Sequence, residues 1–295
     1  MIMKRPTTPR KLKVNHASPT TAVPPRAKPF MKWAGGKTDS VPTILDVLPE
    51  RISTYFEPMV GGGAVFFALA DAKRFENCRL GDTNDDLMTC YGVIKHDVEA
   101  LIALLKTWDH SKSRFATLRA EPKGKLVYRA ARMIYLNRTC FNGLYRVNRS
   151  GQFNVPFGRY TNPLICDEDN LRRVAAVLRD AGLVTGPYDV LNFAKPGDAV
   201  YIDPPYVPVS KTSSFTQYGP NAFGTAEHVK LAQAFYDLAA RGVSVALSNS
   251  DTEFVRILYG DYHVRELKVK RRINSKAANR GAVPELLITA NCRGD

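Results

Sequence analysis

Residues 53–73 read STYFEPMVGGGAVFFALADAK, and this stretch decides the fold class. Its apolar first part, Ser53–Val60, predicts a buried strand, its three glycines predict a tight turn, and Ala64–Lys73 has the pattern of a helix. Open α/β sheets bind ligands at such strand ends, where glycine lets a backbone approach closely and a helix N-terminus is electropositive. The stretch therefore predicts an α/β fold with a ligand site at Gly61–Gly63.

A carboxylate follows the next predicted strand. Cys78–Gly81 leads directly into Asp82, 21 residues beyond Gly61. From this position a carboxylate can accept hydrogen bonds from ribose hydroxyls, which favours a nucleoside-containing cofactor. A glycine turn beside an unrelated surface aspartate is the alternative.

Strands and helices alternate again after the polar, Gly- and Asn-rich segment Thr139–Tyr160. The predicted architecture is an open α/β sheet, interrupted after its second strand by a mainly helical, basic insertion. The apolar patterns predict helices over Asn84–Trp108, Lys125–Asn137, Glu168–Ala181 and Thr225–Arg241, and strands over Asp198–Asp203, Val243–Ser248, Val264–Lys270 and Leu286–Ala290.

The net charge of +14 is concentrated in short segments of the 295-residue chain. Residues 1–28 hold seven Lys/Arg and no acid and are expected to form a disordered tail, whereas residues 112–160 hold eleven Lys/Arg against one acid. Aromatic residues interleave with the second block, which favours a nucleic-acid surface over a merely solvated one. Six further Lys/Arg in Lys268–Arg280 could grip phosphate or could be a solvated hairpin tip.

Other function classes are disfavoured by what the sequence lacks. It has no apolar run of eighteen residues and no signal-peptide pattern, so a cytoplasmic protein is expected. Its five cysteines are widely spaced, without a Cys-x-x-Cys pair or clustered histidines, so neither disulfides nor a metal site is expected.

The most specific motif is Asp203-Pro204-Pro205-Tyr206, directly after the apolar run Ala199–Ile202. Prolines donate no hydrogen bonds, so carbonyls in this rigid turn face outward. An amino group extruded from a nucleic-acid helix would find two acceptors there, the Asp203 carboxylate and the Pro204 carbonyl, with the Tyr206 ring for stacking. The alternative is a proline-rich turn that only ends a strand.

The segment Lys32-Trp33-Ala34-Gly35-Gly36-Lys37-Thr38 ends like a phosphate-binding P-loop. A P-loop needs glycine at position 31, which is Met31. Trp33 and the two lysines could instead hold an adenine ring and an acidic group, or Trp33 could be a core residue.

These motifs, in this order, resemble the Dam-type DNA adenine N6-methyltransferases, over Phe30 to about Leu287. The resemblance implies a Rossmann-like S-adenosylmethionine-dependent methyltransferase fold with an inserted, mainly helical DNA-recognition domain. The expected catalytic domain comprises residues 29–83 and 167–295, and the expected target-recognition domain comprises residues 84–166.

The resemblance also implies roles for individual residues. Catalysis falls to Asp203, Pro204, Pro205 and Tyr206, and contact with S-adenosylmethionine to Trp33, Lys37, Glu57, Pro58, Gly61, Gly63, Asp82 and Asp203. Arg146 and Leu144 would read bases and Arg138 would contact phosphate, in a DNA-binding set of Lys32, Arg138, Phe141, Asn142, Leu144, Arg146, Asn154, Pro156, Arg159 and Tyr160. Phe141 stands where relatives commonly have tyrosine, and Met59 and Gly62 also depart from the usual cofactor turn.

The expected reaction is methylation of adenine N6 in double-stranded DNA, by base flipping and direct transfer, with GATC as the expected site. The enzyme would associate with the nucleoid when bound to DNA, and a restriction endonuclease acting on the same site could accompany it without a stable complex.

Single features of the sequence argue against methylation of cytosine. Attack on cytosine C5 needs a Pro-Cys nucleophile, which is missing, and enzymes acting on cytosine N4 more often carry serine in place of Asp203. Methylation of RNA adenine, a non-catalytic DNA-binding protein and a P-loop ATPase are the remaining alternatives.

Overall fold

The computed structural model describes residues 26–209, 223–270 and 282–295. Most of the predicted tail and the predicted basic hairpin tip Arg271–Arg280 lie outside the described residues. Within them, no helix is long and apolar enough to cross a membrane.

A seven-stranded sheet forms the centre of the fold, in the order β3-β2-β1-β4-β5-β7-β6. The first five strands along the chain pair in parallel, and β7 runs antiparallel to both of its neighbours. The strands are β1 (Ile52–Glu57), β2 (Phe75–Asp82), β3 (Gly182–Thr185), β4 (Ala199–Ile202), β5 (Ser244–Ser250), β6 (His263–Lys270) and β7 (Ala282–Ala290).

Eight α-helices accompany the sheet in the described part of the chain. The helices predicted from the sequence are present with ends shifted by a few residues. The helix predicted over Asn84–Trp108 contains a kink at Asp97. The helices are α1 (Val41–Val47), α2 (Ala64–Asp71), α3 (Asp85–Lys106), α4 (Lys112–Ala120), α5 (Leu126–Thr139), α6 (Glu168–Leu178), α7 (Thr225–Ala240) and α8 (Glu253–Leu258).

Alternation along the buried strands supplies both faces of the sheet with apolar side chains. Tyr55 packs into a core that includes side chains of α3 and α5, whereas its neighbour Phe56 packs into a second core with side chains of α7. The α/β fold class is thus confirmed. Because residues 84–166 share one apolar core with the sheet, the division into two domains stays a prediction.

Candidate active site

The turn between β1 and α2 holds glycine in two left-handed positions. Gly61 has φ +47° and Gly63 has φ +71°. A Cβ atom on Gly61 would lie 2.7 Å from Cδ1 of Trp33, and one on Gly63 would lie 2.6 Å from the hydroxyl oxygen of Tyr91. That hydroxyl donates to the carbonyl of Gly61 at 3.1 Å. Conformation and contact together therefore require glycine at both positions.

Replacing Gly63 with alanine should lower the free energy of unfolding by more than the cost of a left-handed residue, about 1–2 kcal/mol. The new methyl group also meets the hydroxyl of Tyr91, which is fully buried and donates a hydrogen bond to the Gly61 carbonyl. Chemical denaturation measures the change. Gly151→Ala is the matched control, because Gly151 has φ +74° and open space around its Cβ position. Equal losses in the two variants would contradict the packing argument.

Asp82 ties the glycine turn to the start of α3. Its carboxylate accepts the backbone N–H of Gly61 at 3.1 Å and that of Asn84 at 2.9 Å. Burial raises the pKa of Asp82, and these hydrogen bonds oppose the rise. A carboxylate has about four lone-pair positions, so Asp82 keeps acceptor capacity for a ligand.

Glu57 ends β1 and is 3% exposed. The Tyr55 hydroxyl donates to Glu57 Oε2 at 2.7 Å. Burial raises the pKa of Glu57 to about 8, with a further rise from the charge of Asp203, while the hydrogen bond and the charge of Lys37 oppose it. Near neutral pH the carboxyl group therefore holds its proton, and a cation bound beside it would favour ionisation.

Asp203 follows β4 and is paired through one of its two oxygens. Its Oδ2 lies 2.7 Å from Nζ of Lys37, which also donates to the carbonyl of Gly35 at 2.7 Å. Asp203 Oδ1 is buried and has no hydrogen-bond partner among the described residues. The site thus holds an acceptor that a bound donor could satisfy. Pro204 beside it is buried and Pro205 is exposed.

Replacing Lys37 with methionine should move the acid limb of the pH–rate profile to higher pH. Burial raises the pKa of Asp203, and the Lys37 charge and hydrogen bond hold it lower. Without Lys37 the pKa rises further, so ionised Asp203, which predominates above that pKa, is lost at a higher pH as the pH falls. Profiles of kcat/KM measure the shift, with the exposed Lys230→Met as control. An unmoved limb would exclude Asp203 as the titrating group.

Three polar residues that the sequence analysis missed fasten the segment after Asp203. The Val207 N–H donates to Asn249 Oδ1 at 3.1 Å, and the Ser250 hydroxyl donates to the Val207 carbonyl at 2.5 Å. The Tyr206 hydroxyl donates to Glu285 Oε2 at 3.0 Å. No sequence motif marks them, although a polar run at the end of an otherwise apolar strand, as in residues 248–250, is a signal that could have pointed to two of them.

Several of the predicted DNA-binding residues form a surface beside this site. Lys32 Nζ donates to the Tyr160 hydroxyl at 3.2 Å and lies 5.0 Å from the ring centroid. Arg146 Nε donates to Asn154 Oδ1 at 2.6 Å, and its Nη2 to the Asn154 carbonyl at 3.3 Å. The exposed members of the predicted set are Lys32, Phe141, Asn142, Arg146, Pro156 and Arg159.

Two predicted DNA contacts are placed differently. Arg138 is partly buried, and its Nη2 donates to the carbonyl of Phe30 at 2.7 Å. Its Nε is buried without a partner in the described ranges, and burial lowers the pKa of Arg138. Leu144 is half-buried against the apolar core. A phosphate role for Arg138 therefore requires its guanidinium to turn outward.

Asn137 and Trp33 connect the two parts of the site, and no pattern in the sequence assigns Asn137 a role. Asn137 accepts the Lys32 N–H at 2.9 Å and donates to the carbonyls of Lys32 and Gly143, each at 2.8 Å. Trp33 stacks on Tyr145, with ring centroids 5.4 Å apart. The glycine turn and the predicted recognition loop are therefore joined through Trp33, which lies against Gly61 and stacks on Tyr145.

Known proteins are similar to this chain over most of its length. The family described as D12 class N6 adenine-specific DNA methyltransferase matches residues 33–273. Type II methyltransferase M.MjaIII of Methanocaldococcus jannaschii is 40% identical over 286 residues, covering 88% of this chain and 98% of that protein. Type II methyltransferase M1.LlaDCHI of Lactococcus lactis subsp. cremoris is 39% identical over 273 residues, covering 89% and 95%. A DNA adenine methylase of Vibrio cholerae serotype O1 is 35% identical over 270 residues, with the same coverage.

A mainly parallel sheet, with a glycine turn and carboxylates at the carboxyl ends of its strands, defines an α/β protein whose ligand site is expected at that edge. The chain belongs to the D12 class N6 adenine-specific DNA methyltransferase family, and it is an adenine-specific DNA methyltransferase. The resemblance to Dam-type enzymes is thereby confirmed. In the described part of the chain, no group of three or more His, Cys, Asp or Glu side chains is arranged to hold a metal ion.

Proposed function

We propose that the protein methylates adenine N6 at one specific sequence of double-stranded DNA, using S-adenosylmethionine and a flipped-out base. The observation that carries the proposal is the buried Oδ1 of Asp203, an acceptor without a partner among the described residues. An adenine amino group, extruded from the helix, would supply the missing donor.

The residues at the carboxyl edge of the sheet fit the cofactor. Gly61 and Gly63 let the backbone of the turn come close to the Trp33 ring and the Tyr91 hydroxyl, where a Cβ would clash, and a glycine backbone of this kind can also approach a ligand closely. Asp82 offers free acceptor positions to ribose hydroxyls, and Glu57 can become an anion beside a cationic group. S-adenosylmethionine, when bound, supplies an electrophilic methyl group on a sulfonium.

Asp203 and Tyr206 would act on the base itself. Asp203 Oδ1 and the Pro204 carbonyl accept the two N6 hydrogens, which draws the nitrogen lone pair out of conjugation with the ring. The Tyr206 ring stacks on the base and fixes the direction of attack. It contributes to the orientation of the two reactants, which as a whole can supply about 7–11 kcal/mol of the barrier. After transfer N6 carries one proton too many, and Asp203 is the nearest proposed acceptor.

Sequence reading is assigned to the exposed loop around Arg146. A guanidinium can donate to O6 and N7 of one guanine, and the pairing with Asn154 holds the fork in place beforehand. The proposed target is GATC, which rests on the resemblance to Dam-type enzymes. Cytoplasmic action on nucleoid DNA, and a restriction endonuclease sharing the site, belong to the same proposal.

The test is a labelling experiment. The purified protein is incubated with methyl-labelled S-adenosylmethionine and duplexes that contain GATC, single-base variants of it, or no adenine. N6-methyladenine confined to GATC is the expected product. N6-methyladenine at other sequences would overturn GATC as the target but support the proposed reaction. DNA binding without any label would favour a non-catalytic DNA-binding protein.

A further inference from the structure

Glu285 on β7 contacts the tyrosine of the proposed base-binding loop. The Tyr206 hydroxyl donates to Glu285 Oε2 at 3.0 Å, and Nζ of Lys37 lies 4.8 Å from the centroid of the same ring. Tyr206 is partly buried. The hydroxyl end of the ring is fixed by β7, an element remote in sequence from the motif.

The backbone next to this ring is fastened separately. Asn249 accepts the Val207 N–H, and Ser250 donates to the Val207 carbonyl. Ser250 pairs with Glu285 in the antiparallel register of β5 and β7. One position of the sheet therefore holds the main chain of the loop through β5 and the Tyr206 side chain through β7.

A fastened backbone does not by itself fix a tyrosine ring, because the side chain retains rotation about its own bonds. A hydrogen bond to a charged acceptor at the far end of the ring restricts that rotation, and such bonds are stronger than neutral ones. Stacking depends on the plane of the ring, so the contact acts on how well a base is held.

We propose that Glu285 is a positioning residue for methyl transfer, which holds the Tyr206 ring in the plane required to stack on the extruded adenine. This inference rests on the proposed role of Tyr206 in stacking on the extruded base. Glu285 would touch neither the base nor the cofactor, and its effect would pass through the tyrosine hydroxyl.

A second effect of Glu285 has to be separated from this one. Its negative charge contributes to the raised pKa of Asp203, after the larger effect of burial. Glutamine removes the charge but keeps an acceptor for the Tyr206 hydroxyl, whereas alanine removes both. Phenylalanine at position 206 removes the hydroxyl and leaves the ring and both charges.

The test compares Glu285→Ala, Glu285→Gln, Tyr206→Phe and the double variant Tyr206→Phe/Glu285→Ala in single-turnover methylation. Loss of a charged hydrogen bond should reduce the rate constant about tenfold in Glu285→Ala and in Tyr206→Phe. The double variant should be no slower than either single variant, and Glu285→Gln should stay within about threefold of the parent. KM for S-adenosylmethionine should remain unchanged.

A duplex with 2-aminopurine at the target position reports the base directly, since stacking on an aromatic ring quenches its emission. We expect brighter emission from complexes of Glu285→Ala and Tyr206→Phe than from the parent complex. Glu266 is the matched control: it lies on the adjacent strand, is exposed and pairs with Arg256, so Glu266→Ala should change neither rate nor emission.

The inference would be overturned if the rate losses of Glu285→Ala and Tyr206→Phe multiplied in the double variant, because the two residues would then act independently. Equal losses in Glu285→Gln and Glu285→Ala with unchanged emission would overturn it too, and would assign the effect to charge. If Glu285→Ala fails to fold, Glu285→Gln and Tyr206→Phe still test it by rate and emission. Full turnover by Tyr206→Ala would instead refute the proposed role of Tyr206, whereas impairment of Tyr206→Ala alone would refute only the role of Glu285.

Discussion

Replacing Asp203 with asparagine should slow methyl transfer by about 10²- to 10³-fold, the size of effect seen when one preorganised electrostatic contact to a transition state is removed. The substitution keeps the shape of the side chain but removes the negative charge that would face the N6 hydrogens. It also leaves the buried Lys37 ammonium without the carboxylate it contacts at 2.7 Å. Single-turnover methylation of a duplex at saturating enzyme measures the rate constant.

DNA binding by the same variants is measured as well, so that an effect on methyl transfer is distinguished from an effect on DNA affinity. DNA affinity should stay within a few-fold for Asp203→Asn and Asp203→Ala, because neither variant alters the exposed loop around Arg146. Asp251→Asn is the matched control, since Asp251 pairs with Arg256 at the surface of the fold. A rate constant unchanged from the parent would remove Asp203 from the mechanism.

The second large effect is expected on specificity. Arg146→Ala should reduce discrimination at one guanine by about 1–3 kcal/mol, because a bidentate contact to O6 and N7 is lost. The Arg146 fork is already oriented in the protein alone, through its two hydrogen bonds to Asn154. Rates on the parent site and on every single-base variant of it give the discrimination at each position.

Arg149 provides the comparison, because it is exposed and lies three residues further along the same loop. Arg149→Ala should weaken binding to all duplexes alike or leave it unchanged. A uniform loss across sequences in Arg146→Ala would instead make Arg146 a phosphate contact, and its removal would then reduce the salt dependence of binding.

Local sequence patterns were sufficient for the elements that carry the site. The apolar runs and glycines of residues 53–73 predicted β1, the turn and α2, and the apolar run before Asp203 predicted β4. The antiparallel hairpin of β6 and β7 followed from two short apolar strands. These features depend on neighbours in sequence, which periodicity describes well.

Four elements escaped prediction for identifiable reasons, and one of them is α8, which has six residues and buries only Val255. β3 has only four residues, lies at the edge of the sheet and is not fully buried. α4 buries two side chains, Phe115 and Leu118, among basic ones, and α1 has seven residues with a proline near its start. Short elements with few buried positions leave a weak periodic signal, and packing against the rest of the fold decides them.

The contacts around Tyr206 escaped for a different reason. Glu285 is 79 residues from Tyr206 and Asn249 is 42 residues from Val207. The pairing of β4 with β5 brings Asn249 to the loop, and the pairing of β5 with β7 brings Glu285 there. Arg138 illustrates the converse, because motif position suggested a surface role while folding turned its guanidinium toward Phe30. Long-range register and side-chain direction are set by tertiary structure.

The Asn137 clamp on Lys32 and the stack of Trp33 on Tyr145 bear on how such enzymes can diverge. The segment that holds Lys32 and Trp33 precedes the first strand of the sheet and packs against the loop that would read DNA. The loop therefore cannot be exchanged without affecting this segment. Recombination that imports a new recognition segment without its matching residues 30–33 would join two surfaces that do not fit each other. New target sequences in this lineage should therefore arise more readily by substitution within the loop than by exchange of the loop as a block.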